Sequence, residues 1–263
     1  MKTIGIISLK GGVGKTSVVS ALGSAIAGFG KKVLLIDGNF SAGNLGLHLN
    51  VTEPEITIHN VLNGTANVKD AICELENFDL IPASVSNKID INPLKLKTKI
   101  SSLKKKYDVI IIDSSPSLNE ETLAVMLASD ELLVVTTPDY PTLSTTLKSI
   151  QLANQRGISV DGLIINKTHN KNFELSLKEL ENTAEIPVMA VLPYDLNVLK
   201  ALSKSMPSTI YKPKSKASVE YKKLAGILIG EKYKPIKLKR LLKWINPEKQ
   251  EINREIFYQR VFR

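Results

Sequence analysis

Ile4-Gly-Ile-Ile-Ser-Leu-Lys-Gly-Gly-Val-Gly-Lys-Thr16 is the stretch whose reading decides the fold of this chain. Its first part, with Ile4, Ile6 and Ile7, is a short apolar run of the kind that forms a strand buried on both faces. The run stops at a glycine-rich turn. Beyond it, within Ser17–Ala27, Val18, Leu22, Ala25 and Ile26 recur at helical spacing. Strand, glycine turn and helix, in that order, are the context of a phosphate-binding loop. Gly11, Gly12 and Gly14 lack a Cβ, so the backbone bends sharply and brings its N–H groups close to an anion. The helix N-terminus adds partial positive charge at the same point. The stretch Gly11–Ser17, Val13 included, is therefore the expected triphosphate cradle. In it Lys15 reaches the terminal phosphates and the Thr16 hydroxyl ligates Mg2+.

Outward from the loop, Gly28–Gly30 stop the helix, and Lys32–Asp37 is a second buried strand that ends in a carboxylate. Phe78–Pro82 is a strand; residues 52–77 are polar and helical in short pieces; Pro93–Lys106 is a lysine-rich helix with Leu94, Leu96, Ile100 and Leu103 on its apolar side. Tyr107–Asp113 is the clearest central strand, and it too ends in an acid. Asp113 is the expected water-mediated Mg2+ ligand, since a loop threonine and an acidic strand end can share one metal. Ser117 and Glu120 have capping-box spacing for the helix that follows. Strands at Glu131–Thr136, Val160–Asn166 and Pro187–Leu192 then alternate with helices at Thr142–Gln155, Phe173–Asn182, Leu196–Ser203 and Ser215–Ile229. Such alternation predicts an α/β fold: a doubly wound, mostly parallel sheet with helices on both faces.

Composition narrows the classes. A chain of 263 residues, 43% apolar and 23% charged, suits one large soluble domain. Cys73 is its single cysteine, which excludes structural disulfides and multi-cysteine clusters and fits a reducing interior. No apolar run is long enough to span a bilayer, and Lys10 comes too early for a signal peptide, so the expected location is cytoplasmic. The three histidines lack metal-ligand spacing and read as structural or exposed. The formal charge of +9 is uneven: residues 232–263 hold ten Lys/Arg against three Glu, or +7, which leaves +2 for residues 1–231. That division predicts a phosphate-loop domain over 1–231 and a basic tail over 232–263.

The loop departs from the common pattern. Leu9 stands where a glycine is usual, and an extra lysine, Lys10, opens Lys-Gly-Gly-Val-Gly-Lys-Thr. This arrangement resembles the deviant phosphate loop of the MinD/ParA family of ATPases. The resemblance implies a homodimer formed on ATP, in which Lys10 reaches the nucleotide held by the other subunit. It implies that Asp37 matches the first acid of the family's Asp-x-Asp switch and serves the metal. The second acid, which orients or activates the attacking water, is Asn39 here. An amide holds a water but cannot take its proton, so slow, partner-dependent hydrolysis is one expectation; simple turn-capping by Asn39 is the other. Asn166, at the end of a strand, matches the family's adenine-recognising Asn. Leu192-Pro-Tyr-Asp195 resembles its base-flanking loop, with Pro193 and Asp195 the matching positions. The bland alternative for these two is strand-end turn chemistry.

The tail carries Ile236-Lys-Leu-Lys-Arg-Leu-Leu-Lys-Trp-Ile245. On a helix Leu238, Leu241, Leu242 and Ile245 share one face, Lys239, Arg240 and Lys243 lie opposite, and Trp244 sits at the border. That is the composition of a reversible membrane-surface anchor, and it resembles the targeting helix of MinD-type proteins. A helix packed on its own domain or on a partner is the competing reading. Two functions of different class follow: an ATPase switch at the inner face of the cell membrane that positions a partner machine, or a partition ATPase that binds nonspecific DNA. The second needs a basic dimer surface, to which a body charge of +2 lends little beyond Lys104–Lys106 and Lys212–Lys216.

Overall fold

A computed structural model of the chain describes residues 1–85 and 90–233. Strands β1 (Lys2–Ile7), β2 (Val33–Gly38), β3 (Cys73–Glu74), β4 (Asp79–Ile81), β5 (Val109–Ser114), β6 (Glu131–Thr136), β7 (Gly162–Thr168) and β8 (Val188–Pro193) form one sheet. Its order is β3-β4-β2-β5-β1-β6-β7-β8. Every pairing is parallel except that of β3 with β4, at one edge. From β1 the chain first crosses to β2 on one side, and later crosses from β5 over β1 to β6 on the other. The carboxyl end of β1 is thus a point where the winding reverses, the place where open α/β sheets bind ligands.

The strands are buried on both faces because their residues alternate between two helix layers. Leu34 and Ile36 of β2 and Ile110 and Ile112 of β5 face α4 (Leu96–Ile100) and α5 (Glu120–Ala128). On the same side α6 (Tyr140–Gln155) and α7 (Leu177–Ala184) cover β6 to β8. Ile4, Ile6, Leu35 and Ile111 face the other layer, α1 (Lys15–Ala27) and α10 (Lys216–Ile229). Tyr221, Leu224, Ala225 and Leu228, the expected face of α10, are all buried there. Truncating one such fully buried leucine costs roughly 2–5 kcal/mol.

The differences from expectation are local. Residues 52–77 hold the helix α3 (Ile58–Asn63), but also strand β3, whose two residues pair only at the sheet edge. The expected helix over Pro93–Lys106 is divided: a 3-10 turn at Pro93–Lys95, then α4, then a second 3-10 stretch at Ser101–Lys105, with Leu94 exposed. Ser117 and Glu120 do not form a capping box. Asn119 is the N-cap of α5, its side chain accepting Thr122 N–H at 3.1 Å, and Glu120 opens the helix. Helix α7 begins at Leu177, four residues later than Phe173, because Ser176 and Glu179 make the capping box there. Two short helices, α2 (Leu45–His48) and α9 (Ser208–Tyr211), had no clear periodicity to announce them. Helix α8 (Leu196–Leu202) stands where the pattern puts it. The tail positions Leu238, Leu241, Leu242, Trp244 and Ile245 lie outside the described residues.

Candidate functional site

The carboxyl ends of β1, β2 and β5 converge on one small polar region. The loop after β1 turns through Gly12 and Gly14, at φ +78° and +93°, conformations in which a Cβ is strained. Gly14 is the N-cap of α1, so Lys15 and Thr16 stand in the first helical turn, where backbone N–H groups have no intrahelical partner. A Cβ on Gly14 would also lie 2.5 Å from the Asn166 side-chain nitrogen. Lys15 is buried, and that burial lowers its pKa against the opposing pull of Asp113. The Thr16 hydroxyl donates to Asp113 Oδ2 at 2.6 Å, while Asp113 Oδ1 is buried without a hydrogen-bond partner.

Asp37 and Asp113 are register partners on adjacent strands, both buried. Burial first, and the neighbouring Asp113 second, push the Asp37 carboxyl up to about 7, against backbone N–H donors from Leu45, Asn39 and Asn44. Burial pushes Asp113 up to about 6, with Lys15 and Thr16 pulling the other way. Two buried acids side by side, one with a bare oxygen, beside a hydroxyl and a row of amide N–H groups, suit a hard divalent cation carrying phosphate oxygens. The donor set fits Mg2+.

The loop after β2 folds back on Asp37. Asn39 N–H donates to Asp37 Oδ1 at 3.1 Å, and Asn44 and Leu45 N–H donate to Oδ2 at 2.9 and 3.0 Å. Asn39 is itself buried, and its amide donates to the Ala42 carbonyl at 2.5 Å, as the turn-capping reading has it. His59 is a structural member of this region: Nδ1 accepts from Ser84 N–H at 3.2 Å, so Nε2 carries the proton to the Phe40 carbonyl at 2.9 Å.

The Lys10 ammonium is engaged at the start of α6. Its Nζ lies 2.5 Å from Thr142 Oγ1 and 3.4 Å from Asp139 Oδ1, at the start of α6. Both side chains of this ion pair are substantially exposed. Asp139 also caps α6 by accepting Thr142 N–H at 2.9 Å. Neither Asp139 nor Thr142 was singled out from the sequence, although Asp before Tyr140-Pro141 is an N-cap signal.

Asn166 does reach the loop, from β7: its Nδ2 donates to the Val13 carbonyl at 2.8 Å and its Oδ1 accepts Lys167 N–H. Lys167, at φ +57°, sends its Nζ to the Gly12 carbonyl at 2.6 Å, a contact that only the fold reveals. Pro193 ends β8. Asp195 caps α8 through Asn197 N–H and accepts Ala217 N–H at 3.3 Å, so its carboxylate joins two helices. Tyr194 stacks on His169, ring centroids 4.9 Å apart, at the rim of the same edge.

Comparison with known proteins bears on the whole constellation. Residues 1–159 match a family model described as "AAA domain". An uncharacterized ATP-binding protein of Methanocaldococcus jannaschii is 36% identical over 233 residues, 88% of each chain. The crystal structure of the cell division ATPase MinD of Pyrococcus furiosus superimposes with a TM-score of 0.82 at 35% identity, covering 87% of this chain and 98% of that one. The septum site-determining protein MinD of Pyrococcus horikoshii, solved with Mg-ADP, gives 0.81 at 34% identity, covering 86% and 95%.

Proposed function

This chain belongs to the MinD/ParA family of P-loop ATPases, and from that premise we propose a MinD-type switch that pairs on MgATP and attaches reversibly to the inner face of the cell membrane. Residues 1–231 are the ATPase domain and 232–263 the attachment segment. The observation that carries the reading is Lys10, a cation at the mouth of the loop that is spent on an exposed pair rather than on the cradle.

Within one subunit Gly11, Gly12, Val13, Gly14, Lys15, Thr16 and Ser17 wrap the phosphates. Lys15 loses little on meeting them, since its burial already penalises the unpaired cation. Thr16, Asp37 and Asp113 hold Mg2+, which neutralises charge on the phosphate oxygens. Asn166, Pro193 and Asp195 line the base side. Lys10 leaves Asp139 and engages the triphosphate across the dimer. Asn39 orients the attacking water without taking its proton, so turnover is slow and an activating protein speeds it.

A single basic amphipathic helix holds a membrane weakly; two, joined by the ATP dimer, act through effective concentration and gain orders of magnitude in avidity. ATP thereby controls attachment with no contact between the sites, and hydrolysis releases the protein. The similarity to a cell division ATPase supports positioning of a partner machine, such as the division apparatus, as the process served. Sedimentation with anionic liposomes tests the scheme. Pelleting should require ATP and residues 236–263; equal pelleting with ATP, with ADP and after removal of the segment overturns it.

A DNA-partition role is the second reading. In the Lys104–Lys106 cluster, one of the two that would build its basic patch, two of the three lysines are already paired, Lys104 with Asp130 at 3.0 Å and Lys106 with Asp79 at 3.8 Å. Salt-dependent DNA binding by residues 1–231 alone would favour it.

A further inference from the structure

Glu121 is a buried carboxylate that the phosphate site as described does not use. It stands in the first turn of α5, 7% exposed. One oxygen accepts the Ser41 hydroxyl proton, and Oε2 is buried with no hydrogen-bond partner. A bare carboxylate oxygen in the interior is costly, and its retention calls for a use.

Its place follows from the packing. A Cβ on Gly38 would lie 2.6 Å from Val125 Cγ2, so α5 runs directly over the end of β2. Glu121, one turn back toward the carboxyl edge of the sheet, meets the loop at Ser41. Ser41 is two residues from Asn39, which is two from Asp37. The wall beside the loop therefore carries the acid that the loop itself lacks.

We propose that Glu121 is the proton acceptor for the water that Asn39 orients, an assignment that rests on the ATPase reading above. The water oxygen bonds to the terminal phosphorus, and the bond from that phosphorus to the bridging oxygen breaks with its electron pair going to ADP. The water proton passes to Glu121 and leaves with the phosphate or solvent. The Ser41 bond ties the carboxylate to the loop that carries Asn39.

Single-turnover hydrolysis of MgATP by the full chain tests this, with the affinity for Mg-AMPPNP and the Tm measured on every variant. Glu121→Gln should slow hydrolysis by about tenfold or more while AMPPNP affinity stays within about twofold. Glu121→Asp, which keeps the acid but not the shape, should retain more activity than the isosteric Gln. Asn39→Asp should make residue 121 dispensable, so that N39D/E121Q runs within about twofold of N39D. A parental rate in E121Q, a better rate with Gln than with Asp, or an undiminished E121Q loss in the N39D background overturns the assignment. Should E121Q fail to fold, Glu121→Ala with added formate carries the test: a gain of about fivefold supports the proposal and no gain overturns it. Absence of AMPPNP binding by the parent would sink the ATPase reading itself.

Discussion

The two ends of the phosphate loop carry the same residue type in opposite conditions. Lys15 is buried, with its charged form penalised by burial, and it sits between a helix N-terminus and Asp113. Lys10 lies at the surface on an ion pair of 3.4 Å whose side chains are 38% and 45% exposed. A pair that open to water is worth about 0–1 kcal/mol, so it can be given up cheaply. One lysine is built into the fold and the other is left movable. The proposed switch, which holds a nucleotide and responds to a second subunit, would use that division.

The sharpest way to break the comparison is Lys15→Ala. Removing a cation already penalised by burial should leave the Tm of the nucleotide-free protein unchanged or higher, yet weaken MgATP binding by roughly a hundredfold or more. Calorimetric titration checks it; a lost fold rather than lost binding would make Lys15 structural. Lys10→Ala comes next. ATP affinity of the monomer should change by less than about threefold, while the ATP-dependent shift in solution sizing disappears. Pairing at the parental ATP concentration would remove Lys10 from the interface.

A pH effect separates the buried acids from the exposed pair. Asp37 and Asp113 hold protons in the folded state more tightly than unfolded carboxyls do. Between pH 5 and 8 the native state keeps protons that the unfolded chain has released, so stability falls as pH rises through that window. Urea unfolding of the nucleotide-free protein should show a loss of about 4 kcal/mol from pH 5 to 8, and bound Mg-nucleotide should reduce it. A flat profile would mean that the two carboxyls hold their protons no more tightly in the folded chain than in the unfolded one. The smallest effect belongs to Asp139→Asn. Asn keeps the helix cap, so stability should change by less than about 0.5 kcal/mol, and with Lys10 released the dimer should form at two- to fivefold lower ATP.

The strands and large helices were legible because burial on both faces demands continuous apolar runs, as in Ile110–Ile112, and helices repeat their apolar residues every three or four positions, as in Tyr221, Leu224, Ala225 and Leu228. Elements of two to four residues, such as β3, α2 and α9, are too short to show a period. Helix starts failed where two capping signals competed: Asn119 against Ser117 for α5, and the real box at Ser176–Glu179 against an early apolar Phe173. In the site, Gly11–Thr16, Asp37 and Asp113 could be read because their spacing along one strand-turn-helix unit or at strand ends is local. Asp139, Thr142, Lys167 and Glu121 could not. Each lies 80 or more positions from its partner, and an ordinary polar residue in a loop or first helical turn carries no mark of what it will touch.

By itself the sequence determined the strand–glycine turn–helix unit, the parallel α/β architecture and the family, because glycine sterics, helix polarity and hydrophobic periodicity all act over a few neighbouring residues. Only the tertiary structure decided which lysine sits on an exposed pair, that the Asn166 amide spends its donor on the Val13 carbonyl, and that a further buried acid faces the loop that has an amide at 39. Those outcomes depend on solvent exclusion and on contacts between distant segments, and neither exists until the layers close on the sheet.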